Sequence, residues 1–333
     1  VRCRAARLEV DAVRTLVGEL TGVPAERVAF HSGATESLNL ALRACLRPGD
    51  TVLTTAFEHS SVVRPLLALQ KERQLRVEVL PPTADGGYAI DAAVAAIAAL
   101  RPRLFVFTHA SNVTGLVLDA VGTCEAAREH GCLTLLDACQ TAGLLDIRVG
   151  ADLVVASAHK ALHGPPGIGF LAVRPDVELP TQKQGGTGSS VALTSHPTRW
   201  PQAFEAGTPN TPAIFALGAA LRWVAEQQPA RMLAHGLERL DELRAGLRQK
   251  ARIRVLDPPA GNRVPILSFV HESYDTAELG AVFDAASVHV RTGFHCAPWI
   301  HGYLGTEQGG TVRLSPGPQT TRADVAAALD ALA

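Results

Sequence analysis

Lysine is scarce in this sequence. Lys71, Lys160, Lys183 and Lys250 stand against 27 arginines, so each lysine can be judged by its own surroundings. An excess of either charge is missing too: 31 basic and 32 acidic residues leave a formal net charge of -1, which argues against nucleic acid or an anionic membrane as a partner. No apolar run approaches a bilayer span; the longest, "AAVAAIAAL" at 92–100, falls well short of the roughly 20 residues required. Six cysteines (Cys3, Cys45, Cys124, Cys132, Cys139 and Cys296) form no CxxC pair and no metal-ligand spacing. A chain of 333 residues has no need of disulfide staples, so reduced thiols, no metal and a cytoplasmic setting are expected. Internal repeats, a secretory signal pattern and low-complexity tracts beyond alanine-rich helices are also lacking. The chain opens on Val1 and runs at once into a helical pattern, "RLEVDAVRTLVGEL", which a valine-coded start or a further N-terminal segment would explain.

What is present is an alternation. From Arg27 to about Val173, β-branched runs ("RVAF", "TVLTT", "LRVEVL", "RLFVFTH", "LTLLDA", "DLVVAS", "IGFLAV") are separated by amphipathic stretches read as helices at 35–46, 60–73, 91–100 and 119–130. This pattern predicts an α/β fold with a mostly parallel sheet covered by helices, and chemistry at the carboxyl ends of its strands. A Gly/Ser/Thr/Pro-rich loop follows at 180–212, then long helices near 213–228 and 230–251. Beyond Arg252 the order becomes strand, strand, helix, strand, strand, helix, the mark of a smaller α+β unit. The expected division is a large domain at 1–228 and a small C-terminal domain at 229–333.

Three strand ends carry chemistry. "DLVVASAHKALHGPPG" runs a buried strand into Ser157, His159 and Lys160, which suits an amine that forms a Schiff base; a surface lysine is the plain alternative. "LTLLDACQTAG" ends a strand in Asp137 with Gln140 three residues on. Asp137 reads either as a turn cap or, given a Schiff-base lysine downstream, as the carboxylate that keeps a pyridoxal ring nitrogen protonated. "FHSGATESLNLAL" is strand, small-residue turn and helix, so Ala34 and Thr35 open either an anion site at a helix N-terminus or an ordinary helix capped by Thr35.

Eight stretches in register, "SGATESLNLAL", "EHSSVVRPL", "HASNVTG", "DACQTAG", "SAHK", "GGTGS", "FEAGTPNTP" and "VRTGFHCAP", resemble the class V aminotransferase group of pyridoxal-phosphate enzymes, and most of all its cysteine desulfurase branch. The resemblance spans nearly the whole chain and implies the pyridoxal-phosphate fold type I. It implies that Lys160 holds pyridoxal 5'-phosphate, that Asp137 pairs with the ring nitrogen and Gln140 with the phenolic oxygen, and that His59 stacks on the ring. Asn112 would reach the substrate carboxylate or the ring oxygen, while Ala34, Thr35, Ser157 and His159 form the phosphate site. Thr208 would complete that site from the second subunit of a homodimer. Arg313, in "GTVRLS", would grip the substrate carboxylate with two prongs, with Arg291 close by.

Cys296 would then attack the sulfur of L-cysteine, leaving L-alanine and a persulfide. On a short loop, that sulfur must pass to a docking acceptor protein, as in iron–sulfur cluster assembly. Arg291 and His295 are expected to make the thiol's surroundings cationic; a buried packing role is the alternative. Cys139 is read as packing beside the cofactor. Other outcomes of the resemblance are a selenocysteine lyase, a C–S lyase, a transaminase, or a catalytically impaired homologue. Two departures bear on the last: Ala203 replaces the arginine usual before "FEAGT", and no Asn-Ala-Ala stretch appears near the start.

Overall fold

Strands β4 (Leu104–Thr108), β5 (Leu133–Asp137), β6 (Leu153–Ser157) and β7 (Gly169–Val173) are buried at nearly every position, as their unbroken apolar runs require when helices cover both faces of a sheet. They belong to a computed structural model that describes residues 2–188, 194–259 and 261–332. Val1 and Ser189 of the "GGTGS" stretch lie outside the described residues.

Helix α1 (Arg2–Thr21) precedes β1 (Val28–His31), α2 (Ala34–Cys45), β2 (Thr51–Thr55), α3 (Ser60–Arg73), β3 (Arg76–Leu80), α4 (Ile90–Leu100), and α5 (Ala120–Glu129) between β4 and β5. The seven strands form one sheet in the order β1-β7-β6-β5-β4-β2-β3. Every neighbouring pair from β3 across to β6 is parallel, and β7 runs against both β6 and β1. The expected mostly parallel sheet is therefore present, with "IGFLAV" as the reversed strand.

Alternate residues of the strands feed opposite cores. Phe105, Phe107, Leu136 and Val154 pack with Val13, Val17 and Leu217 on one face. Val106, Leu135 and Val155 pack with Leu38, Leu42, Val62 and Leu66 on the other. Each such fully buried side chain stabilises the fold by about 1.5–3 kcal/mol.

Helices α6 (Thr211–Gln227) and α7 (Pro229–Arg248) lead into β8 (Ile253–Val255), β9 (Leu267–His271), α8 (Thr276–Ala285), β10 (Arg291–Gly293), α9 (Ile300–Leu304), β11 (Thr311–Leu314) and α10 (Arg322–Asp330). The four strands form an antiparallel sheet ordered β10-β11-β9-β8, whose apolar face meets Leu240, Leu243 and Leu247 of α7 and Phe283 of α8. The expected element order holds, with α9 as an addition too short for its periodicity to be read. Helix α7 also stops three residues before 251.

The two sheets share packing. Phe57, Val113, Leu116 and Leu118 close on Ala297 and Ile300, and Ala110 closes on Val264 and Ile266. Gly115 is required at this joint: its φ is 75°, and a Cβ there would lie 2.6 Å from the Ile266 carbonyl oxygen. Among the described residues, no helix is long and apolar enough to cross a membrane.

Candidate active site

The carboxyl ends of β1, β2, β4, β5 and β6 converge on one wall. At the end of β1, helix α2 starts after Gly33 with no side-chain cap. Thr35 is not the cap that one reading of the sequence offered, because its Oγ1 pairs with Ser61 Oγ at 2.7 Å. Ser157, at the end of β6, accepts from the Ala34 N–H at 2.8 Å. An uncapped first turn offers backbone N–H groups and the positive end of the helix dipole, with the Ser157 and Thr35 hydroxyls beside them. Gly169 lets β7 approach: a Cβ there would stand 2.8 Å from Gly33 Cα.

Past β2, Glu58 and His59 turn toward the wall. Glu58 is fully buried, and its Oε1 accepts from Thr55 Oγ1 at 2.6 Å and from the Thr108 N–H at 3.0 Å, while Oε2 has no partner. Burial, with Asp137 adding repulsion, pushes its carboxyl up to about 8. His59 caps α3, its Nδ1 accepting from the Ser61 N–H at 3.0 Å, which leaves Nε2 to carry the hydrogen of the neutral ring. Burial first, then the charges of Lys160 and Arg291, hold the imidazole down to about 4 against the pull of Asp137.

Asp137 ends β5 nearly buried, with Oδ1 accepting from the Cys139 N–H at 3.0 Å. Gln140, half-buried, follows on the same turn. Lys160 stands three residues past β6, half-buried; its carbonyl accepts from the His163 N–H at 3.0 Å, and its amine makes no hydrogen bond among the described residues. Burial opposes its charge, but Cys139 and Asp137 outweigh it and leave the amine raised. The other lysines are placed differently: Lys183 pairs with Glu36 at 3.0 Å, and Lys71 is exposed on α3. His159 is exposed, and burial with Lys160 lowers its imidazole.

The small sheet supplies the facing side. Arg291 and Arg313 are direct partners on β10 and β11, which places two guanidinium side chains on one face of the sheet. Burial, then Arg291, draws Arg313 down to about 10; its Nη1 donates to the Asn112 carbonyl at 2.9 Å, and its Nε is buried without a partner. Arg313 through the Asn112 carbonyl, and the turn after β10 through Asn112 and Ser60, bind the small sheet to the strand-end wall. Cys296 is exposed, three residues past β10, with the Arg291 Nη2 3.3 Å from its Sγ. His295 does not add the expected positive charge. Its ring is 2% exposed, and burial, then Arg313, hold it down to about 3, so it is neutral.

Thr208 is exposed and makes no side-chain hydrogen bond to these groups among the described residues. Ala203, where an arginine was expected, is buried beside Trp200 and Phe204. Its neighbour Glu205 is instead gripped at both oxygens by Arg14 of α1, at 2.7 and 3.0 Å. Glu58 and His109 escaped the sequence reading, although both sit in quoted stretches at strand ends. His109 is buried and bonds Thr141 Oγ1 at 2.9 Å, and burial holds its ring down to about 4.

The mostly parallel sheet with its one reversed strand, joined to a smaller antiparallel sheet, has the α/β architecture of pyridoxal-phosphate fold type I. The family model for aminotransferase class V matches residues 3–328, and the chain belongs to that family. Cysteine desulfurases from Salmonella choleraesuis (strain SC-B67) and Salmonella agona (strain SL483) are 31% identical to it over 300 residues, covering 84% of this chain and 71% of theirs. Among solved structures, the apo cysteine desulfurase from Thermococcus onnurineus NA1 superposes with a TM-score of 0.87 at 25% identity, covering 98% of this chain and 83% of that one. A cysteine desulfurase from Escherichia coli gives 0.89 at 24% identity, covering 98% and 84%, and supports the fold.

Proposed function

We propose that this protein is a pyridoxal-phosphate-dependent cysteine desulfurase, a sulfurtransferase that converts L-cysteine to L-alanine and holds the sulfur as a persulfide on Cys296. The observation that carries this reading is the exposed Cys296 thiol beside Arg291, on a turn bonded through its backbone to Asn112 and Ser60 of the wall. The family depends on pyridoxal phosphate, and the residues here fit that group. Asn112 Oδ1 and Arg313 Nε are buried without partners, the start of α2 is uncapped, and the Lys160 amine is not engaged. Lys160 would hold the cofactor, Asp137 its ring nitrogen, Gln140 its phenolic oxygen and His59 its ring face. Ala34, Thr35, Ser157 and His159 would hold the phosphate, with Thr208 reaching it from the second copy of a homodimer. When bound, the cofactor supplies an electron sink that makes the α-proton of an amino acid removable.

The chain's own groups would do the rest. Arg313 and Arg291 hold the substrate carboxylate, which offsets the mutual repulsion of two cations on adjacent strands. The Lys160 amine takes the proton from the α-carbon. The Cys296 thiolate attacks the substrate sulfur: a Cys296 S–S bond forms, the C–S bond breaks, and its electron pair ends as the C–H bond of alanine after protonation. Cys139 cannot compete, since burial pushes its thiol up to about 12. Residues 1–228 then serve as the cofactor domain and 229–333 as the domain that carries the thiol. The persulfide sulfur would leave on an acceptor protein.

The test is to supply the purified protein with pyridoxal phosphate, L-cysteine and a reductant, and to measure alanine and sulfide. Equal yields of both are expected. A keto acid in place of alanine would mark a transaminase and contradict the proposal.

A further inference from the structure

The turn that carries Cys296 is held from the opposite side of the site. His295 and Cys296 both adopt left-handed backbone, with φ of 49° and 59°, a conformation that residues with a side chain seldom take. Two hydrogen bonds bracket the pair. Asn112 Nδ2 donates to the His295 carbonyl at 2.6 Å, and the Ser60 N–H donates to the Cys296 carbonyl at 2.6 Å. The orientation of the Asn112 amide follows, because only its NH2 group can face a carbonyl oxygen. The same residue's main-chain oxygen accepts from Arg313. Asn112 is thus the point where the end of β4, the arginine of the small sheet and the cysteine turn meet.

We propose that Asn112 is a positioning residue for Cys296: its side-chain amide, together with the Ser60 N–H, latches the strained turn to the strand-end wall, so that the thiol is presented at one place relative to Lys160 and Arg313. This differs from a role as a direct ligand of the substrate carboxylate, and it rests on the reading of Cys296 as the sulfur-accepting thiol. The latch uses the side chain of Asn112, whereas Arg313 is tied to its main chain. Substitution of the side chain therefore separates thiol positioning from carboxylate binding.

The experiment uses the holoenzyme with Asn112→Asp, which keeps the shape and replaces the donor by an acceptor, and with Ser60→Pro, which removes the second donor. Proline is tolerated at the first position of a helix, and His59 already has the extended φ of -70° and ψ of 153° that precede proline readily. Amide hydrogen exchange in the peptide at 290–299 should quicken at least about tenfold in both variants. For Asn112→Asp, kcat for alanine formation should fall about tenfold to a hundredfold with KM for L-cysteine changed less than about threefold, as expected when a reacting group is misplaced rather than a ligand lost. The visible absorption of the cofactor should persist. Unchanged exchange in both variants, or a raised KM with kcat preserved, would overturn the proposal. If Cys296→Ser left alanine formation undiminished, the reading of Cys296 would fail instead, and the exchange data would still report on the latch.

Discussion

Two cysteines flank the same site and meet opposite fates. Cys139 follows Asp137 at the end of a strand whose last four residues are buried, and burial pushes its thiol up to about 12, beyond use as a nucleophile. Cys296 sits on an exposed turn of the small sheet, beside a guanidinium, held by bonds to its own carbonyl and that of His295. The strand-end wall is a product of the core: its functional side chains stand where packed strands stop. The cysteine turn is anchored at its flanks, by the buried Ala297 and by His295 Nε2 against Thr311 Oγ1, and it crosses to the wall by the two bonds from Asn112 and Ser60, with the Cys296 side chain left exposed. The difference teaches that burial, and not residue type, sets the two thiols apart: one is enclosed by the core and the other is open to a reagent.

The largest effect should come from breaking the wall. Lys160→Ala should lower alanine formation by about a thousandfold or more, as loss of both an anchor and a proton carrier implies. Borohydride reduction should tie the cofactor to Lys160 in the unaltered protein; label on Lys183 or Lys71 would contradict this. Next, the contrast between thiols can be sharpened with iodoacetamide. Cys296 should be alkylated at least about a hundredfold faster than Cys45, Cys124, Cys132 or Cys139, all buried with thiols pushed up to about 12, as peptide mass spectrometry would show.

A smaller effect tests the buried acid of the wall. Glu58 titrates near 8 in the folded protein against an ordinary value of 4.5, so its neutral form is favoured on folding. Its contribution to stability is therefore fully present below about pH 4.5 and is lost as pH rises through about 8, by at most about 5 kcal/mol. The Tm of Glu58→Gln relative to the unaltered protein should accordingly rise between pH 5 and pH 8; a flat difference would mean that Glu58 does not titrate in this range. The smallest effect is expected at Thr208. Exposed in one chain, it should change stability by less than about 0.5 kcal/mol when replaced by alanine. It should nonetheless weaken cofactor retention severalfold in a homodimer. A monomer with full cofactor occupancy would contradict the shared site.

Much of the wall was legible in the sequence because local pattern determined it. "LVVAS" and "LTLLD" are buried runs, and the polar residues that end them stand at strand mouths. The helix starts at Ala34 and Ser60 were legible for the same reason. The cysteine turn was legible only in its residue types. The bond from Asn112 to the His295 carbonyl joins positions 183 residues apart, a relation that no local spacing encodes. His295 lies four residues from Arg291 and reads as cationic, yet burial makes it neutral. Glu58 stands three residues past β2 with no local signal of burial, and only the packing of β2 against β4 encloses it.

The central claim is that Cys296 takes the sulfur. Its most direct measurement is mass spectrometry of the protein after a single turnover with L-cysteine and no reductant, in the unaltered chain and in Cys296→Ser. One extra sulfur atom on the peptide that contains Cys296, with one equivalent of alanine, is the result expected; Cys296→Ser should form neither while keeping the visible absorption of the cofactor. Undiminished alanine and sulfide from Cys296→Ser would show that this thiol takes no part in the reaction.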